Sequence, residues 1–135
     1  MTSTAKLTAE QQEALIQAAL QARQAAYAPY SKYHVGAALL AASGEMFAGS
    51  NVENGSLGLT ICAERVAACT AVTAGQRQFQ AMAIATADGA TPCGACRQFL
   101  AEFCDDLPIL LVDVDQGNAV RQVQLNDLLP QRYGQ

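Results

Sequence analysis

Two short segments of the 135-residue chain carry residue types that could do chemistry: Cys62-Ala63-Glu64 and Pro92-Cys93-Gly94-Ala95-Cys96. Each lies where a helix is expected to begin. A helix N-terminus carries roughly +0.5 of an elementary charge and lowers a cysteine pKa. One helix, one strand and a turn separate the two segments. That is enough chain to return to the same edge of a sheet, so two helix N-termini could face one point. Three thiolates gathered there would make a soft, anionic pocket of the kind that selects zinc. Three protein ligands leave one tetrahedral position open. Catalytic zinc keeps such an opening for water, whereas structural zinc closes it.

Glu64 completes the constellation. It stands two residues from Cys62, near a metal yet not needed as a ligand, where a carboxylate could take a proton from water and pass it to a leaving group. The plain alternative for a Glu in a first helical turn is compensation of the helix dipole. A metal ligand two residues before Glu, followed by P-C-x-x-C, is the zinc-deaminase pattern, which includes a three-cysteine form. Three thiolates on one Zn²⁺ leave a charge of −1, which opposes ionisation of water. Arg65 or Arg97, each adjacent to a candidate ligand, could offset it by hydrogen bonding to sulfur, and Arg65 is assigned that role. Cys69 and Cys104 lie about 10.5 and about 12 Å along their helices from Cys62 and Cys96, too far to join one zinc. Both are expected in the core. His34, the single histidine, is expected in a loop or on the surface rather than on a metal.

The elements that must position these groups follow from pattern. Thr8, with Gln11 as its capping-box partner, can start a helix in which Leu15, Ile16, Ala19, Leu20 and Ala26 recur at helical spacing, with Pro29 as its stop. Val35 to Ala41 and Met46 to Val52 read as a hairpin around Ser43-Gly44. Asn54-Gly55-Ser56 and Gly58 read as a loop. Thr60 can cap a second helix, roughly Cys62 to Ala74, with Gly75 as its stop. Ala81 to Thr86 reads as a buried strand and Asp88-Gly89 as a turn. Pro92 is placed to open a third helix, roughly Cys93 to Phe103. Pro108 to Val114 and Val120 to Leu125 read as strands around Gln116-Gly117-Asn118, and Asn126 can cap a last turn at Leu128-Leu129. The order α, ββ, α, β, α, β, β predicts a mixed five-stranded sheet with helices on both faces, in one domain spanning 1–135.

Composition narrows the classes. Hydrophobic residues make up 51% and charged residues 15% of the chain, which excludes a disordered or low-complexity role. Twelve acidic against eight basic residues give a net charge of −4, so a nucleic-acid polymer is not expected as partner. So few charges leave apolar surface over, which suggests a subunit interface. Met1 to Lys6 lead into Gln and Glu rather than an apolar run, and Val66 to Gly75 falls short of a membrane span. A cytoplasmic protein with no membrane partner is the expectation, and its cysteines would then be ligands or core residues rather than disulfides.

At this point the sequence resembles the small homotetrameric cytidine deaminases. The resemblance is carried by Ala28-Pro29-Tyr30-Ser31-Lys32-Tyr33, Val35-Gly36-Ala37-Ala38-Leu39, Asn51-Val52-Glu53-Asn54, Gly58-Leu59-Thr60-Ile61-Cys62-Ala63-Glu64-Arg65, Pro92-Cys93-Gly94-Ala95-Cys96-Arg97-Gln98 and Leu128-Leu129-Pro130. It implies hydrolysis of cytidine and 2′-deoxycytidine to uridine and 2′-deoxyuridine with release of ammonia. It implies one zinc per subunit on Cys62, Cys93 and Cys96, with Glu64 as proton shuttle. Asn51 and Glu53 are implied to hold the ribose, and the backbone around Ala63 to meet the pyrimidine. The implied fold is a three-layer α/β/α sandwich, and the implied oligomer a tetramer with sites near subunit interfaces. Three positions depart from the family pattern. Tyr33 stands where Phe is frequent against the substrate. Leu57 stands where Tyr is frequent. Tyr133 stands where an aromatic Phe reaches a neighbour's site. A buried Tyr33 hydroxyl would need a hydrogen-bond partner. Other readings are a deaminase of a modified cytosine nucleoside such as blasticidin S, a structural zinc module closed by a fourth protein ligand, and a disulfide oxidoreductase using Cys93 and Cys96.

Overall fold

The computed structural model describes residues 7–134; the Met1–Lys6 stretch read for targeting lies outside them. Helix α1 (Ala9–Arg23) begins with the expected capping box: Thr8 Oγ1 accepts from Gln11 N and Gln11 Oε1 from Thr8 N, both at 3.0 Å. It ends at Arg23, well before Pro29. The backbone of Tyr27 is taken instead by pairing with the segment after the hairpin: Tyr27 N donates to Asn51 O and Glu53 N to Tyr27 O, each at 2.9 Å. Long-range pairing here overrides the helix propensity of Gln24-Ala25-Ala26.

The hairpin strands are β1 (Gly36–Ala41) and β2 (Met46–Ser50), paired from Gly36 with Ser50 to Leu40 with Met46. Val52, expected inside the second strand, makes only isolated bridges, to Tyr27 and to Ile61. Strands β3 (Phe79–Thr86), β4 (Pro108–Asp113) and β5 (Ala119–Gln124) complete a five-stranded sheet ordered β2-β1-β3-β4-β5. Only β3 and β4 run parallel, joined through helix α3 (Gly94–Ala101). The mixed sheet and its element order are as the pattern predicts.

Strand alternation sorts the core into two layers. Ala38, Leu40, Ala81, Ala83, Ala85, Leu110 and Val112 pack with Leu15 and Ala19 of α1. On the other face Ala37, Leu39, Met82, Ile84, Ile109 and Leu111 pack with Ala63, Ala67, Ala68 and Ala71 of helix α2 (Ala63–Thr73) and with Leu100 of α3. The result is helices on both faces of one sheet. No helix among the described residues is long and apolar enough to cross a membrane.

The helix starts depart from expectation in an instructive way. Cys62, not Thr60, is the N-cap of α2, and Cys93, not Pro92, precedes the first residue of α3. Thr60 is used up closing a 3₁₀ turn at Leu57–Leu59, and its hydroxyl accepts from Asn54 N at 3.1 Å. Asn126 does not cap the last helix; it lies inside α4 (Leu125–Leu128), and Asp106 Oδ1 accepts from its N–H at 3.0 Å. Gly75 does stop α2: with φ +89 it lets Gln76 N reach Ala71 O at 2.9 Å and its own N–H reach Val72 O at 3.0 Å.

Gly49 sets the height of α2 above the sheet. A Cβ there would lie 2.5 Å from Ala67 N and 2.8 Å from Ala63 O. Gly49→Ala must therefore lift the first turn of α2, at a cost of about 1–3 kcal/mol. Chemical denaturation should show that loss, whereas Gly58→Ala, with nothing within 4 Å, should leave the midpoint unchanged. An unshifted midpoint for Gly49→Ala would mean that α2 does not ride on this contact.

Candidate metal centre and active site

The two helix starts converge. The sulfurs of Cys62, Cys93 and Cys96 all lie within 4.8 Å of one another. Cys62 Sγ and Cys93 Sγ are 3.9 Å apart, and Cys93 Sγ and Cys96 Sγ 3.4 Å. Three sulfurs each about 2.3 Å from a tetrahedral zinc would sit about 3.8 Å apart, so the trio has the spacing a zinc ion needs. The same distances exceed by far the roughly 2.05 Å of a disulfide, and all five cysteines are free. Among the described residues no fourth Cys, His, Asp or Glu joins the group. Cys104 is half-buried against the core, its Sγ donating to Leu100 O at 3.2 Å, and burial pushes its thiol up to about 12. Cys69 corrects the sequence reading. It is exposed, because it falls on the face of α2 opposite the buried Ala63, Ala67, Ala68 and Ala71. His34 is half-buried beside β1, where its backbone carbonyl accepts from Arg23 Nε at 3.0 Å.

The electrostatics are those of crowded anions. The Cys62 thiol is drawn down to about 5, chiefly by hydrogen bonding with Cys96 and then, against burial, by Arg65. Cys96 is driven upward, because it bonds to that first anion and is itself buried. A second and third thiolate therefore call for a cation. Arg65 supplies part of the charge: its Nη2 donates to Cys62 Sγ at 3.4 Å. Arg97, the other arginine considered for this role, turns elsewhere. It donates to Pro92 O at 2.7 Å, Leu128 O at 3.0 Å and Thr91 Oγ1 at 3.1 Å, bracing the turn that carries Cys93. Glu64 is 6% exposed, and burial, with the Cys62 charge adding, pushes its carboxyl up to about 7. A carboxyl poised there can both take and give a proton near neutral pH.

Asn51 and Glu53 sit where the chain leaves β2. Asn51 is buried; its Oδ1 accepts from Val35 N at 3.0 Å and its Nδ2 donates to Tyr33 O at 2.8 Å. One amide N–H and one lone pair stay available beyond those bonds. Glu53 accepts from Tyr30 N at 3.0 Å, from Ser31 N at 3.1 Å and from the Ser31 hydroxyl, which holds its carboxyl below the usual range. Ala63 is the first residue of α2, where backbone N–H groups have no helical carbonyl to meet. Tyr33 is half-buried, and the partner its hydroxyl requires is Asp88, at 2.6 Å. Sequence reasoning passed over Asp88 as a turn residue; the unmet need of the Tyr33 phenol was the available signal. Tyr133 is 87% exposed.

The chain matches the family model described as cytidine and deoxycytidylate deaminase zinc-binding region over residues 9–110. The chain belongs to that deaminase family. It is 45% identical over 119 residues to the cytidine deaminase of Halalkalibacterium halodurans, covering 86% of this chain and 89% of the relative. The crystal structure of cytidine deaminase from Burkholderia pseudomallei superimposes with a TM-score of 0.84 at 45% identity, covering 94% of this chain and 100% of that one. A blasticidin-S deaminase of Bacillus cereus is a more distant relative, 26% identical over 113 residues, covering 76% of this chain and 79% of that protein. The α/β fold is thus the cytidine deaminase fold, and the three-cysteine centre fits this family's zinc.

Arg65→Gln removes the charge that faces Cys62. Zinc affinity, or turnover, should fall about 10–100-fold, as for other partners of metal ligands. Competition with a chromogenic chelator reads the first and steady-state kinetics the second; unchanged values for both would remove Arg65 from the centre.

Proposed function

We propose that this chain hydrolyses the 4-amino group of cytidine and 2′-deoxycytidine, yielding uridine and 2′-deoxyuridine with ammonia, as in pyrimidine salvage. The observation that carries the reading is the trio of sulfurs at two helix starts with a buried carboxyl, Glu64, beside it. Cys62, Cys93 and Cys96 would hold one zinc per subunit. When bound, zinc would lower the pKa of water and stabilise the negative charge that develops on the oxygen added at C4. Glu64 accepts one proton of the water that attacks C4 of the cytosine ring and delivers it to N3. It then takes the second proton from the hydroxyl now on C4 and delivers it to the departing amino group, so that the C4–N bond breaks and ammonia leaves. Asn51 and Glu53 hold the ribose, the Ala63 backbone meets the base, and Tyr33 lines the wall of the pocket. Arg65 balances the sulfur charge. The working form is a cytoplasmic homotetramer of one-domain subunits in which Tyr133 reaches a neighbour's site. Its exposure here, with that of Leu57 (77%) and Leu59 (64%), supports a surface meant to be covered. No nucleic-acid polymer and no membrane is a partner.

The reading that competes is deamination of a modified cytosine nucleoside, favoured by the blasticidin-S deaminase relative. A structural zinc module is disfavoured because no fourth ligand accompanies the three sulfurs among the described residues. Zinc content measured alongside ultraviolet assays of cytidine and of blasticidin S decides among them. Stoichiometric zinc with rapid loss of cytidine absorbance is expected. Turnover of the antibiotic alone, or zinc without any turnover, would reject the proposed substrate or the enzyme.

A further inference from the structure

The hydrogen bonds around Tyr33 tie three separate segments together. Its carbonyl accepts from Asn51 Nδ2 at 2.8 Å, and its N–H donates to Ser31 Oγ at 3.0 Å. Ser31 in turn is bonded to Glu53. At the far end of the side chain the phenol donates to Asp88 Oδ1 at 2.6 Å. The same oxygen accepts from Thr86 Oγ1 and from Ala90 N, each at 3.3 Å. Asp88 stands between the end of β3 and the Thr91-Pro92-Cys93 segment that delivers two of the sulfurs. The Tyr33 ring packs against the core layer that includes Ala63, next in sequence to Glu64.

We propose that Asp88 is a positioning residue of the nucleoside site, acting through the Tyr33 phenol to fix the pocket wall against the loop that carries Cys93. The proposal rests on Tyr33 lining the pocket, as proposed above. Its physical basis is the restraint of a ring at both ends. A phenylalanine held only through its backbone can swing about two side-chain torsions. A tyrosine whose hydroxyl is bonded to a fixed carboxylate cannot do so without breaking a charge-assisted hydrogen bond. Asp88 is itself held by two donors besides the phenol, Thr86 Oγ1 and Ala90 N. The two groups reinforce one another: Tyr33 holds the Asp88 carboxyl below its usual range, while burial and Asp88 push the phenol up, so donor and acceptor keep their roles. A wall set in advance lowers the ordering cost of binding. The effect therefore falls on substrate capture rather than on proton transfer.

The test is a double-mutant cycle read in steady-state kinetics with cytidine on zinc-loaded protein. Asp88→Ala should raise KM about ten-fold and leave kcat within about three-fold, the size expected for one charge-assisted bond. Tyr33→Phe should behave alike, and the double variant should be no worse than the poorer single one. Asp88→Asn keeps an acceptor for the phenol and should hold KM within about three-fold of the unmodified protein. Zinc content should stay full throughout. The proposal is overturned if KM is unchanged in Asp88→Ala, if the two single effects multiply, if Asp88→Asn is as impaired as Asp88→Ala, or if the loss falls on kcat or zinc. Failure of the unmodified protein to deaminate cytidine would overturn the activity, and this role with it. Normal turnover with multiplying effects overturns the positioning role alone.

Discussion

Glu64→Ala is expected to lower cytidine turnover by at least about 10³–10⁴-fold while leaving zinc content intact. The size follows from what the side chain is asked to do twice. In the proposed reaction one carboxyl takes both protons of the attacking water in turn and passes them to the ring and to the leaving group, so its loss would remove base and acid together. The other ionisable groups of the proposed site are engaged elsewhere. The three thiols would be taken up by the proposed metal, Glu53 is bound to Tyr30 and Ser31, and Asp88 to Tyr33. Stability should not fall, since Glu64 is a buried carboxyl whose charge is costly in place. Glu64→Gln separates proton transfer from packing. It fills the same volume and still forms hydrogen bonds, yet cannot accept the proton, so it should be nearly as inactive as the alanine variant. Atomic absorption, thermal unfolding and an ultraviolet assay make the comparison. Substantial turnover by Glu64→Gln would show that the carboxyl is only a filler.

The centre was more legible in the sequence than the frame around it. Cys62, Cys93 and Cys96 could be brought together on paper because helix starts are marked locally, and two elements and a turn between them fixed the return of the chain. Local pattern also located all five strands. It failed where long-range contacts decide. Thr60 looks like a cap and Cys62 does not, but the 3₁₀ turn at Leu57–Leu59 consumes Thr60 one step earlier. Pro29 looks like a helix stop, but α1 gives up its last expected turn so that Tyr27 can pair with the segment around Val52. Cys69 looks apolar, yet its phase on α2 turns it outward. The partners of Asn51, Glu53 and Tyr33 lie far off along the chain. Asn51 and Glu53 reach back to the Tyr30–Val35 stretch, and Tyr33 reaches forward to Asp88. No periodicity announces such contacts. The single hint was chemical: a partly buried phenol needs an acceptor.

Cys96→Ala is expected to strip the protein of zinc and abolish turnover, and the reason separates this cysteine from the other two. Cys62 and Cys93 are helix caps reached by solvent to differing degrees, whereas Cys96 is fully buried in the first turn of α3. It bonds to both other sulfurs, so its loss breaks the only closed triangle of donors among the described residues. Structural zinc sites bind with about 10–16 kcal/mol over four ligands, or about 2.5–4 kcal/mol each, so removing one ligand here should weaken binding by roughly 10²–10³-fold. The open position would then be joined by a second, and the geometry that presents water to Glu64 would be lost. Folding should suffer less than function. An alanine suits the first turns of a helix, and the cavity left is one sulfur atom in size. The decisive comparison is with Cys69→Ser and Cys104→Ala, which remove a sulfur from outside the triangle. Both should bind zinc and turn over cytidine as the unmodified protein does, while Cys96→Ala, dialysed against the same zinc buffer, should do neither. Retention of stoichiometric zinc by Cys96→Ala would mean that two sulfurs and the helix starts suffice, and that the third thiolate serves charge rather than grip.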